Sequence, residues 1–130
     1  MYKRQYEKNA EHQVHSLVHD KIAFDAVVTP MDFLSIPAIG VLADHGLRVP
    51  CDVAVVGFDD YHLCQGIRPQ LTTVHCDGVA MGRRAGEIML DVLEDKTNPA
   101  IRKHREPATL VVRESCGCKL VKQSEKGDAL

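Results

Sequence analysis

Two short, almost purely aliphatic runs set what this chain can become. Phe24-Asp25-Ala26-Val27-Val28-Thr29 and Val53-Ala54-Val55-Val56-Gly57 are rich in β-branched residues, bounded by turn formers and too short for helices. Neither alternates polar with apolar residues, which is the pattern of parallel strands covered by helices on both faces. Parallel neighbours need a crossover, and the residues between the runs supply one. Leu34, Ala38, Val41 and Leu42 recur at helical spacing, with Asp32 placed to N-cap a helix from Phe33 to about His45 and Gly46 placed to close it. Pro37 sits just inside that helix, where it removes one hydrogen bond or bends the first turn.

The flanking sequence extends this β-α-β unit. Tyr6, Ala10, Val14, Leu17 and Val18 form one apolar face of a helix predicted over 6–21. Leu71-Thr72-Thr73-Val74 predicts a further strand, and a helix follows from Asp77 to about Lys96 with Met81, Ala85, Ile88, Met89, Val92 and Leu93 on one stripe. Thr109 to Arg113 predicts a last strand, while the polar stretch Lys119–Leu130 carries no predicted structure. The fold class is α/β, with a mostly parallel sheet flanked by helices.

Length and charge narrow the function. A chain of 130 residues suits one domain and is short for a two-lobed ligand-binding protein. Sixteen Lys and Arg against eighteen Asp and Glu give a net charge of −2, so no overall basic field is available to hold nucleic acid. No apolar run approaches the roughly 18 residues of a bilayer span, and MYKRQYEKNAEHQ lacks the apolar core of a signal peptide. A cytoplasmic location without membrane contact is expected.

The cysteines Cys51, Cys64, Cys76, Cys116 and Cys118 are odd in number and irregularly spaced, so reduced thiols are expected rather than a disulfide framework. Cys116-Gly117-Cys118 alone has a spacing suited to redox or metal chemistry, and it lacks the second pair that a structural zinc site needs. His12, His15 and His19 lie one turn apart on the first helix and could ligate a metal. No Cys joins them at helical spacing, so a solvated His-rich face is the preferred reading and no metal or cofactor is expected.

In open parallel sheets, ligands bind beyond the carboxyl ends of the strands. Two such ends are visible, Thr29-Pro30-Met31-Asp32 and Gly57-Phe58-Asp59-Asp60, each with a carboxylate soon after an apolar run. Carboxylates there suit acid–base work, metal binding or acceptance of hydrogen bonds from sugar hydroxyls. Equally, Asp32 would simply cap its helix, and one of Asp59 and Asp60 would close a turn. No Ser/His/Asp set, glycine-rich phosphate loop or HExxH motif accompanies them. Binding is therefore the expected class, with no catalytic residue.

The longer motifs are specific. DAVVTPMDFLSIPAIGVLADHGLRVPCDVAVVGFDD, from Asp25 to Asp60, resembles the LacI/GalR family of transcriptional regulators, whose effector domains run from an "AND" turn through "GLRVPEDV" to "VVGFDD". PQLTTVHCDGVAMGRRAGEIML, from Pro69 to Leu90, and EPATLVVRESCG, from Glu106 to Gly117, continue the resemblance over about residues 6–117. It implies a partial periplasmic-binding-protein-like fold, one lobe plus the last helix and strand of the other. The stripe at Met81, Ile88, Met89 and Val92 is then expected to be uncovered. Residues 1–5, which read like a translated sequencing-adapter end, are expected to be a non-native leader, and 118–130 a polar tail or linker.

Carried over by resemblance, Asp59 matches the effector-binding first Asp of "GFDD", Asp32 the Asp of "AND", and Met31 the usual ligand-contacting Asn. Cys76 and Gly78 fall where the family often offers Gln and an aromatic platform. Met can neither donate nor accept well, so the polar recognition set is thinner than usual. The resemblance implies a small-molecule, sugar-like effector, a homodimer, and DNA binding through a domain outside these residues. A second reading follows from SCGC (Ser115 to Cys118), which is similar to the close of sensor domains fused to diguanylate cyclases or histidine kinases. A free periplasmic sugar-binding protein is a weaker third, given the missing signal peptide and the unpaired cysteines.

Overall fold

The β-α-β unit forms as the aliphatic runs require. The computed structural model describes residues 2–94 and 105–118. Its elements are α1 (Tyr2–His19), β1 (Ala26–Val28), α2 (Asp32–Asp44), β2 (Ala54–Asp59), α3 (Leu63–Gly66), β3 (Thr72–Cys76), α4 (Gly78–Leu93) and β4 (Ala108–Val111). The four strands make one sheet in the order β1-β2-β3-β4. The first three run parallel, with Val28 opposite Val56 and Val56 opposite Thr72. β4 returns antiparallel on β3, pairing Thr73 with Val111 and Cys76 with Ala108. The sheet is thus mixed and mostly parallel, as expected.

Local chemistry explains the helix ends. Gly46, at φ +76, lets Leu47 N–H donate to Leu42 O and Gly46 N–H donate to Ala43 O, both at 2.9 Å. This Schellman arrangement closes α2 at the predicted glycine. The start differs from expectation: Met31 occupies the N-cap position without a side-chain cap, and Asp32 is the first helical residue. Asp77 does cap α4, its carboxylate accepting from Val79 N–H at 3.0 Å and Ala80 N–H at 2.9 Å. The predicted end of that helix near Lys96 falls outside the described residues. α1 begins at Tyr2 rather than Tyr6; lysine, arginine and glutamine are good helix formers, so residues 3–5 extend the helix.

The core lies between α1, α2 and one face of the sheet. Val14, Ala38, Leu42, Val53, Val55, Cys64 and Leu71 are buried there, with Val18, Phe24, Val27, Ile39 and Val41 packed around them. Each fully buried Leu or Val contributes about 1.5–3 kcal/mol. Burial of the strands on both faces is not what the structure shows. β2 alternates, with Val55 and Gly57 buried, Ala54 and Val56 half-buried and Phe58 exposed, and Val28 of β1 is 75% exposed. A continuous valine run fits a two-sided sheet, but the buried core, to which α1, α2 and Cys64 of α3 contribute, leaves Val28 and Phe58 exposed.

α4 shows the same incompleteness. None of its residues is buried; Met81, Met89, Leu90 and Leu93 are exposed, and Ile88 and Val92 are half-buried. Of the stripe predicted to be uncovered, Met81 and Met89 are exposed, while Ile88 and Val92 are half-buried. Charged substitutions on it therefore remove little packing. Met89→Lys and Leu93→Lys are expected to shift the unfolding free energy by less than about 0.5 kcal/mol each in urea denaturation. A loss above about 1 kcal/mol from either would mean that the stripe is covered in solution.

Candidate functional site

The carboxyl ends of β1, β2 and β3 share one edge of the sheet, and all five predicted site residues fall at or just beyond it. Met31 and Asp32 begin α2, Asp59 ends β2, Cys76 ends β3 and Gly78 opens α4. Hydrogen bonding divides the carboxylates there into three different states.

Asp32 is a buried tie. It is 1% exposed and accepts from three donors: Tyr61 N–H (2.9 Å) and Cys64 Sγ (3.0 Å) on Oδ2, and Thr73 Oγ1 (2.5 Å) on Oδ1. The tie joins the start of α2, the loop after β2, α3 and β3. Burial, together with the hydrogen bond to Asp32, pushes the Cys64 thiol up to about 12, so it stays a protonated donor. The capping role expected of Asp32 is absent because its side chain turns away from its own helix toward these partners.

Asp60 is clamped. Its Oδ1 accepts from Arg113 Nη2 at 2.5 Å, and its Oδ2 lies 3.2 Å from His75 Nδ1. Arg113 is 8% exposed, and its Nη1 also donates to Leu71 O at 2.8 Å. The predicted last strand was to include Arg113, but β4 ends at Val111 and the guanidinium turns in to meet Asp60. A lone arginine at the end of an aliphatic run was a sequence signal for a buried ion pair, since arginine is rarely buried unless paired.

Asp59 is left open. It is half-buried, and no described residue gives its carboxylate a hydrogen bond. Burial, and then the negative charge of Asp32, push its pKa above the ordinary value. Its backbone lies at φ +106 and that of Asp60 at +57, a conformation that Asp tolerates only at the second. Strain at Asp59 costs about 1–3 kcal/mol and is retained because Asp60 is held from Arg113 and Thr73.

Beyond this turn lies a cavity of about 470 Å³ walled by Asp32, Phe33, Ile36, Tyr61, His62 and Leu63. Its wall is largely apolar, as small-molecule sites usually are, and Asp32, Tyr61 and His62 are the polar residues that line it. A larger groove of about 800 Å³ between α1 and α2 is lined by His12, His15 and Asp44 among others and holds none of the residues predicted to bind an effector. His15 meets the ring of His45 edge-on, at 4.8 Å between centroids. Among the described residues no group of three or more His, Cys, Asp or Glu converges on a metal-sized site. No described helix is long and apolar enough to cross a membrane.

Comparison with known proteins agrees with this geometry. Residues 2–116 match the periplasmic binding protein-like domain. The HTH-type transcriptional regulator GalR of Escherichia coli is 38% identical over 92 residues, covering 71% of this chain and 26% of GalR. The chain thus spans about a quarter of the length of the curated relatives it matches. Among solved structures, a transcriptional regulator CelR–cellobiose complex superposes with a TM-score of 0.77 at 31% identity, over 84% of this chain and 33% of CelR. The Lac repressor dimer bound to operator and the anti-inducer ONPF shares the fold at a TM-score of 0.76 and 24% identity, over 82% of this chain and 37% of the repressor. The chain therefore belongs to the periplasmic binding protein-like domain family and is part of an effector-binding domain of the LacI/GalR type.

Proposed function

We propose that this chain senses a small polar effector, such as a sugar, for a cytoplasmic LacI/GalR-like transcriptional regulator, and that it is not itself an enzyme. The observation that carries the reading is Asp59, a half-buried carboxylate at the end of β2 that no described residue hydrogen-bonds. An ionised carboxylate accepts from ligand hydroxyls. The neighbouring cavity, which Asp59 itself does not line, offers Phe33, Ile36, Tyr61 and Leu63 to the apolar face of a ring. Met31, Cys76 and Gly78 complete the site with few polar groups, so discrimination rests mainly on Asp59. Residues 6–117 supply the sensing part and 118–130 a tail or linker. Effector binding shifts a lobe-closure equilibrium, and with it the geometry of a homodimer that grips DNA through a domain outside these residues. Relatives such as GalR and PurR, named as HTH-type regulators, favour this reading over an input domain for a cyclase or kinase.

The test is a thermal-shift screen against mono- and disaccharides, cellobiose included, followed by titration of Asp59→Ala with any sugar found. Loss of a hydrogen bond to a charged group, about 1.5–3 kcal/mol, predicts roughly 10- to 150-fold weaker binding. Unchanged affinity would remove Asp59 from the site. The pH dependence has a definite sign. Because burial and Asp32 raise the folded pKa of Asp59, its ionised acceptor is lost, and binding weakens, at a higher pH than an ordinary Asp would give. The same shift makes ionised Asp59 destabilising above its folded pKa. Asp59→Asn is therefore expected to raise the thermal midpoint at neutral pH, and the two proteins should converge below the ordinary Asp range.

A further inference from the structure

At the opposite, amino-terminal edge of β2 and β3, Ser115 pins the chain after β4 to the sheet. Its hydroxyl donates to Val55 O at 2.6 Å and accepts from Thr72 N–H at 2.8 Å, and its carbonyl accepts from Val55 N–H at 2.8 Å. The next three residues are Cys116, Gly117 and Cys118. A turn over Glu114–Gly117, closed by Gly117 N–H donating to Glu114 O at 3.3 Å, carries Cys116, and Gly117 leaves it at φ +75. The turn rests on Pro50, whose Cβ would lie 3.6 Å from any Cβ added at Gly117. A side chain at that position would be strained at this φ, so glycine is what permits the turn.

This turn brings the side chains of Cys116 and Cys118 into hydrogen-bond contact, with Cys116 half-buried and Cys118 exposed. Burial alone would push the Cys116 thiol up, but hydrogen bonds from the Thr72 hydroxyl and from Cys118 outweigh it and hold the thiol below its ordinary value. Cys64 is the contrast, buried and raised to about 12. A nucleophilic thiol, an exposed second thiol in contact with it and a pinned backbone are the parts of a dithiol couple.

We propose that Cys116 and Cys118 form a redox-active dithiol that closes to an intramolecular disulfide by exchange with a low-molecular-weight disulfide such as oxidised glutathione. The Cys116 thiolate attacks one sulfur of the small disulfide, forming a mixed disulfide and expelling one thiolate. Cys118, losing its proton to solvent, then attacks the Cys116 sulfur, the protein disulfide forms and the second small thiolate leaves. Two electrons pass from the protein dithiol to the small disulfide, which ends as two thiols. The site is independent of the effector reading, since none of its residues lies at the carboxyl edge.

The experiment equilibrates the reduced 130-residue chain with graded mixtures of oxidised and reduced glutathione, traps free thiols by alkylation and maps them after trypsin digestion. Cleavage after Arg113 and Lys119 isolates a peptide whose only cysteines are Cys116 and Cys118. The expected result is loss of both alkylation sites together, with a mass lower by two hydrogens, at ratios where Cys51 is still fully alkylated. Cys118→Ser, at an exposed position, should stop at the Cys116–glutathione adduct. The proposal is overturned if Cys51 oxidises at the same ratio, or if the wild-type peptide carries glutathione on Cys116 without closing to the disulfide.

Discussion

Asp32→Ala is expected to cost about 3–5 kcal/mol of folding free energy, a large part of what holds a single domain together. The substitution removes one acceptor and leaves three donors behind: Tyr61 N–H, the Cys64 thiol and the Thr73 hydroxyl. With a urea slope of about 1–3 kcal/mol/M, the midpoint should fall by roughly 2 M. Asp32→Asn separates this mechanism from simple loss of volume. An amide oxygen turned toward Tyr61 and Cys64 keeps both of those bonds, while the amide NH2 donates to the Thr73 hydroxyl, which can rotate to accept. The asparagine variant should therefore lose only about 1 kcal/mol. Equal losses below about 1 kcal/mol for both variants would show that the Asp32 tie does not hold the site together.

Gly57→Ala carries the next largest effect. A Cβ built on Gly57 would fall on Asp32 Oδ1 and come within 3.0 Å of both Leu71 Cδ2 and Ser35 Oγ. None of these atoms can yield easily. Asp32 is held by its three donors, Leu71 is wholly buried, and Ser35 Oγ is paired with Thr29 Oγ1 at 2.6 Å. Overpacking of this kind costs about 3 kcal/mol. The two predictions are coupled, because removing the Asp32 carboxylate removes the main clash. In an Asp32→Ala background, Gly57→Ala should therefore cost about 1–2 kcal/mol less than it does alone. Strict additivity in a double-mutant cycle would mean that the β2 backbone shifts to admit the methyl group whichever residue stands at position 32.

Much of the fold was legible because it is written in local spacing. The valine runs, the helical recurrence of Leu34, Ala38 and Leu42, and the closing Gly46 all appear in the structure where they were expected. Errors came where neighbours in space, not in sequence, decide the outcome. The valine runs suggested a sheet covered on both faces, yet strand composition cannot say whether a second layer is present to cover it. Arg113 read as the end of a strand because its partner Asp60 lies 53 residues away. Asp32 read as a cap because Tyr61, Cys64 and Thr73 are 29, 32 and 41 residues distant.

What the sequence determined by itself is the order and type of the elements, the parallel pairing that short valine strands with a helical crossover demand, and membership of a family with long ordered motifs. Periodicity and turn chemistry act over a few residues, so they survive in a bare string of letters. Only the tertiary structure decided which of three nearby carboxylates is which. Asp32 is consumed as an internal tie, Asp60 is neutralised by Arg113, and Asp59 stays open at the edge of the sheet. The physical reason is that a carboxylate's role depends on which donors reach it, and those donors arrive from distant parts of the chain only once the strands have paired.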